Sequence, residues 1–229
     1  MPDITIQCPD GAFSAYLAEP ESGAGAGILV IQEIFGVNQD LRAHCDALAE
    51  QGYFAVSPDL YWRQEPGVQL SDQTDAEWNR AAELYLAFDV SKGIEDLQVT
   101  LTHLRGMDGC SDKVGTVGYC LGGLLAYLMA TRSDADCNVG YYGVGIEGYL
   151  HEAGKITRPT MLHIGEQDRF VLAEAQQAIA ERLADHPLVT LHSYPDVDHA
   201  FARNNGNHYD TAAAQTANLR SAAFFRSHL

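Results

Sequence analysis

The sequence predicts an α/β protein with a mostly parallel central sheet and helices on both faces. Three observations predict it. Strand-like apolar runs alternate with segments of helical period along the chain. The run Gly27-Ile28-Leu29-Val30-Ile31 is nearly continuously apolar, as a strand buried on both faces requires. Finally, Val114 to Val117 leads through Gly118-Tyr119-Cys120-Leu121-Gly122-Gly123 into the small, apolar helix pattern Leu124 to Ala130.

The elements follow in order. Ile4-Thr5-Ile6 and Phe13 to Leu17 form an opening hairpin across Pro9-Asp10-Gly11. The small-residue turn Ser22 to Gly27 precedes the first buried strand. Gln39 to Gln51 is a helix closed by Gly52. Tyr53 to Val56 is the next strand, ended by Ser57-Pro58, and Tyr61 to Ser71 is an irregular loop holding Pro66-Gly67. Asp75 to Arg105 has helical period in two segments, with a break expected near Asp89 to Gly93. Lys113 to Val117, Asn138 to Tyr142, Thr160 to Ile164 and Leu188 to Tyr194 are strands; Leu172 to Ala184 and Thr211 to Leu229 are helices. No repeat, linker or low-complexity tract interrupts them, so one domain over 1–229 is expected.

Composition excludes several classes. The chain has 229 residues, 46% of them apolar, as in an ordinary globular domain. With 14 basic and 31 acidic residues its formal net charge is -17, a surface that repels nucleic acid and anionic membranes. A small anionic substrate stays admissible where a local Arg or Lys offsets that field. Five cysteines without close pairing argue for a reducing compartment, and no CxxC is present. Met1 to Pro9 lacks the basic and apolar regions of a leader, and no apolar run reaches membrane-spanning length. The expected address is the cytoplasm, with no membrane and no nucleic-acid partner. No His/Cys cluster has metal spacing, so no metal is expected.

The chemistry centres on Cys120. Strand, tight turn and helix in G-x-C-x-G form a nucleophile elbow with Cys in place of Ser. The helix start presents unpaired N–H groups and partial positive charge, which favour thiolate. A small buried cysteine in a glycine-rich packing turn is the plainer reading. The order of later residues decides between them. In a doubly wound hydrolase sheet the nucleophile is followed by an acid and then a base, each beyond a strand's carboxyl end. Asp168 follows the strand ending at Ile164, and His199 follows the strand ending at Tyr194. Asp198 adjoins His199 too closely to reach its ring readily, Asp196 is an alternative orienting acid but sits in the same loop, and Glu166 is a cap or a solvated residue. His163 reads as a core histidine within a strand; His44, His103 and His186 read as exposed positions on helical patterns.

After the early strand comes Gln32-Glu33-Ile34-Phe35-Gly36. The amides of Ile34 and Leu121 are placed to form an oxyanion hole. Two readings of Glu33 stand: turned outward and solvated, or paired in the pocket, where it can take the thiol proton. Arg203, four residues past His199, either clamps a carboxylate or neutralises Glu33, or is a surface arginine. Phe35, Trp78, Arg80, Tyr85 and Tyr141 are candidates for the substrate-binding wall.

Together, Gly118 to Gly123, Gln32 to Gly36, the Asp168 loop, His199-Ala200-Phe201-Ala202-Arg203, Pro58-Asp59-Leu60-Tyr61 and Gly140-Tyr141-Tyr142-Gly143 resemble the dienelactone hydrolase family. The resemblance runs over nearly the whole chain. It implies an α/β-hydrolase fold and carboxymethylenebutenolidase activity, the opening of dienelactone to maleylacetate in chloroaromatic degradation. It implies the triad Cys120, Asp168 and His199, with Glu33 pairing with Arg203 until an anionic substrate frees it to deprotonate the thiol. It implies no cofactor and a monomer. One departure stands out: where well-known members carry a further substrate-binding arginine, this chain has Trp78, with Arg80 two residues on. That bears on the substrate more than on the chemistry.

The expected function is therefore a cysteine hydrolase of a small, carboxylate-bearing ester or lactone. The rivals are a broader carboxylesterase or thioesterase on the same scaffold, a ligand-binding protein that has lost turnover, and a thiol redox sensor for which the sequence names no resolving cysteine.

Overall fold

A computed structural model describes residues 3–229; Met1 and Pro2, the first positions of the stretch considered as a leader, lie outside the described residues. Eight strands form one mostly parallel sheet flanked by helices. The chain divides into two compact units, Met1–Gly115 and Thr116–Leu229.

In the first unit, β1 (Asp3–Cys8) and β2 (Gly11–Ala18) form the antiparallel hairpin expected across Pro9 and Asp10. β2 pairs antiparallel with β4 (Phe54–Pro58), which pairs parallel with β3 (Gly25–Ile31). Ile28 to Ile31 are wholly shielded from water, as their unbroken apolar run requires. β4 runs two residues beyond the expected end, because Ser57 and Pro58 still pair with Tyr16 and Ala15.

α1 (Gln39–Glu50) starts at Asn38, whose side chain accepts from the Leu41 amide. α2 (Asp75–Leu86) and α3 (Val90–Arg105) start at Thr74 and Asp89, which cap in the same way. The helical break therefore falls at residues 87–89, earlier than expected. Gly93 lies inside α3, where a Cβ would sit 2.4 Å from the Phe88 ring, so its bare backbone makes room for that ring. The 61–71 loop is held by a small apolar cluster of Tyr61, Val68 and Leu84 with Leu70 and Phe88 against it.

β5 (Cys110–Tyr119) carries the chain from the first unit into the second. There β6 (Cys137–Tyr141), β7 (Thr160–Gly165) and β8 (Val189–Tyr194) run parallel, with Tyr141 beside His163 and His163 beside His192. α4 (Leu121–Arg132) is buried from Leu121 to Thr131 and has no polar stripe, which marks a helix enclosed on all sides. α5 (Ala173–Leu183) and α6 (Thr211–His228) lie on the path before and after β8, and Asp210 caps α6 through the Ala213 amide.

One element was not anticipated. A 3-10 segment, Ile146–Lys155, follows Gly145 at φ 92. It carries Glu152, whose carboxylate is 5% exposed and takes Arg132 Nη2 at 2.5 Å and Arg132 Nε at 3.0 Å. Among the described residues, no disulfide joins the cysteines. Among the described residues, no helix is long and apolar enough to cross a membrane.

Candidate active site

The elbow follows from its glycines. Cys120 adopts φ 56 and ψ -113, a conformation a non-glycine residue holds only under constraint. The turn is so tight that a Cβ on Gly118 would meet the Gly122 carbonyl oxygen at 1.9 Å. A Cβ on Gly123 would meet the Tyr141 carbonyl oxygen at 2.4 Å. The Cys120 amide donates to that same Tyr141 oxygen at 3.1 Å, while the Cys120 carbonyl accepts from Gly123 and Leu124 and starts α4. The thiol thus stands at a helix N-terminus with no side-chain cap, and Leu121 is the first helical residue.

Asp168 sits in the turn after β7. Its Oδ1 accepts from the Phe170 amide at 2.8 Å and the Val171 amide at 3.0 Å. Its Oδ2 faces His199 Nδ1 at 2.8 Å. His199 bonds this carboxylate, and the Cys120 sulfur acts on the charge of the same ring. With Nδ1 committed to Asp168, Nε2 is the nitrogen left for the sulfur. Two rings hold the imidazole edge-to-face: Tyr142 at 5.1 Å and Phe170 at 4.9 Å between centroids. Burial by itself would depress the His199 pKa. The Cys120 sulfur first, then the Asp168 bond, outweigh it and raise the pKa to about 10.

The other acids near His199 have different tasks. Asp198 grips Arg169 and accepts from the His199 amide, not from the ring. Asp196 and Glu166 are exposed. Arg203 is 7% exposed and its amide donates to the Ala200 carbonyl, so it belongs to the same turn as His199.

Tyr141 departs from its expected place on a pocket wall. It is fully buried, and its hydroxyl lies 2.7 Å from Ser221 Oγ and donates to Asn218 Oδ1 at 3.0 Å, both on α6. Its ring stacks toward Tyr119 and His163 in the core. Successive strand residues face opposite ways, and here the ring that meets His199 is that of Tyr142, at φ 39. Sequence reasoning missed Tyr142 and Phe170 as contacts of the imidazole. The only signal for either was position, just past a strand end beside a motif residue.

His163 is a core histidine, as expected. It is fully buried between Tyr194 and Ser221, and burial, then the charges of His192 and Arg220, hold its pKa well below the usual value.

In the first unit, Glu33, Ile34 and Phe35 are all buried after β3. Gln32 shapes that turn by accepting the Leu60 amide at 3.0 Å. Trp78 packs on Phe35 at 5.7 Å between centroids, and Tyr85 is half-buried on α2. Arg80 is exposed and its guanidinium is committed to Glu65 and Glu83. Among the described residues, no group of three His, Cys, Asp or Glu is placed to hold a metal ion.

Comparison with known proteins agrees with this architecture. The model of the Dienelactone hydrolase family matches residues 13–229. A candidate carboxymethylenebutenolidase of Azospirillum brasilense is 49% identical over 238 residues, covering 100% of each chain. The carboxymethylenebutenolidase of Pseudomonas putida is 41% identical over 222 residues, covering 96% of this chain and 94% of its own. The crystal structure of a candidate dienelactone hydrolase from Klebsiella pneumoniae superposes with a TM-score of 0.86 at 24% identity, covering 98% of this chain and 97% of that one, a likeness of fold. Matched along nearly its whole length, this chain is a hydrolase belonging to the dienelactone hydrolase family.

Proposed function

We propose that the chain opens a small, carboxylate-bearing enol lactone of the dienelactone type through an acyl-enzyme on Cys120. The observation that carries the reading is one buried imidazole, His199, 2.8 Å from the Asp168 carboxylate and raised in its affinity for a proton by the sulfur of Cys120 at a strained elbow. The names of the relatives at 41% and 49% identity support the lactone class.

In this mechanism the Cys120 thiol passes its proton to His199 and its sulfur attacks the lactone carbonyl carbon. Charge gathers on the carbonyl oxygen, which the amides of Leu121 and Ile34 are assigned to receive, by the order of motifs along the chain. As the carbonyl re-forms, the ring carbon–oxygen bond breaks, and His199 gives its proton to the departing enol oxygen. Water then attacks the thioester while His199 takes its proton, and the sulfur leaves and recovers that proton from His199. The product is an open-chain acid whose enol becomes the ketone. Asp168 holds the imidazole in the productive tautomer throughout.

Glu33 and Arg203 are assigned as the gate of the thiol. Both are buried, and buried charges persist only when paired. Phe35, Trp78 and Tyr85 are assigned to substrate; Arg80, engaged with two glutamates, is a weaker fit. The continuous family match over 13–229 supports one functional domain.

The test is Cys120→Ala assayed on dienelactone beside a neutral aryl ester. The reading expects turnover of both to be abolished, and the wild type to prefer the anionic lactone. Undiminished activity in the variant contradicts the mechanism. Preference of the wild type for the neutral ester favours a broader carboxylesterase.

A further inference from the structure

We infer that Asp198 is a positioning residue that locks the two loops carrying the acid and the base of the proposed triad in register. The inference rests on that triad. Its Oδ1 accepts the Arg169 amide at 3.1 Å and the His199 amide at 2.6 Å. Those amides belong to the residue next to Asp168 and to the base itself, 29 positions apart in the first case. Its Oδ2 takes Arg169 Nε at 2.9 Å and Nη2 at 2.7 Å, so the carboxylate is held from a second side by a charge-assisted pair. His208 closes the cluster from outside, in contact with Arg169 and 3.8 Å from Asp198 Oδ2.

Three consecutive amides are involved. Those of Phe170 and Val171 go to Asp168, and that of Arg169 goes to Asp198. The turn after β7 is therefore organised around two carboxylates, one supplied by the loop after β8. Backbone bonds from Glu166 to Tyr194 and from Gln167 to Val197 join the loop stems. Asp198 joins their tips, where the Asp168–His199 distance is set. A shift of about 1 Å at such a place can cost a hundredfold in rate.

The chemistry that recommends Asp198 is acceptor geometry at Oδ1, so the amide variant is the discriminating one. Asparagine keeps an Oδ1 able to receive both backbone N–H groups, whereas alanine keeps none. Asp198→Ser retains a short polar side chain that cannot span to Arg169, and it decides the matter should the alanine variant not fold. We expect Asp198→Ala and Asp198→Ser to lower kcat on dienelactone about tenfold with KM within about twofold. We expect Asp198→Asn to recover most of that loss. Thermal unfolding of each variant shows whether the enzyme is fully folded at the assay temperature. Unchanged kcat in folded Asp198→Ala or Asp198→Ser overturns the inference. So does an Asp198→Asn variant as slow as Asp198→Ser, which would make charge, not acceptor geometry, the operative property. Cys120→Ala in the same assay separates the two levels: if it retains turnover, the triad itself is wrong, whatever Asp198 does.

Discussion

Nδ1 of His199 donates to Oδ2 of Asp168 across 2.8 Å, with the two side chains 5% and 0% exposed. The other carboxylate oxygen is filled by the amides of Phe170 and Val171, so the acid cannot rotate away from the ring. This is the orienting contact that a thiol–imidazole pair requires.

Asp168→Asn is expected to leave the fold intact and lower kcat about a thousand- to ten-thousandfold. The new amide N–H would face Nδ1 and select the tautomer that presents a proton, not a lone pair, to the attacking group. Steady-state kinetics beside a circular dichroism spectrum checks this.

The raised pKa of His199 has a stability consequence. A histidine that binds its proton more tightly when folded contributes its full stabilisation below the ordinary value of 6.5, and loses it as pH rises to about 10. Denaturant unfolding between pH 6 and 11 should show that decline. Cys120→Ala removes the sulfur, the foremost raising influence, so the His199 titration followed by NMR should move toward neutral pH. A titration unmoved by the substitution would show that the sulfur does not act on the ring.

Glu152 acts on the opposite limb. Its hydrogen bond with Arg132 holds its pKa down to about 2 from an ordinary 4.5. The pair therefore stabilises the fold above about pH 4.5, and the contribution is lost as pH falls toward 2. Glu152→Gln should cost about 1–3 kcal/mol at neutral pH and flatten this part of the acid limb. Urea unfolding at pH 7 and pH 3 measures both effects.

The elbow glycines give a prediction with its own control. Gly118→Ala places a methyl 1.9 Å from a backbone oxygen, and the expected cost exceeds about 4 kcal/mol, enough to lose soluble protein. Gly148→Ala meets nothing within 4 Å and should stay within about 0.5 kcal/mol of wild type. Expression yield and thermal unfolding compare the two.

Much of this was legible in the chain. The unbroken apolar run of β3 and the Gly118–Gly123 turn are local patterns with few other meanings. The sequence order of Cys120, Asp168 and His199 requires only that each follow a strand. What stayed illegible depends on direction or on distant partners. Nothing in Tyr141-Tyr142 says which ring faces α6 and which faces His199, because a strand alternates and its phase is set by neighbours. The pattern around Arg80 does not show that Glu65, 15 positions away, engages its guanidinium through the folded loop. The helical break meets the expected stretch only at Asp89, because Asp89 caps α3 and Gly93 lies inside that helix, where it admits Phe88. Adjacency to His199 makes Asp198 a poor acid for the ring, and the same adjacency lets it hold the backbone instead.

The most direct test of the central claim is mass spectrometry of enzyme quenched in acid during turnover of an activated acetate ester whose aryl leaving group carries a carboxylate, followed by peptide mapping. The account predicts one acetyl group per chain, on the peptide containing Cys120, absent from Cys120→Ala. An acetyl group on another residue, or full turnover by Cys120→Ala with no adduct, would contradict it.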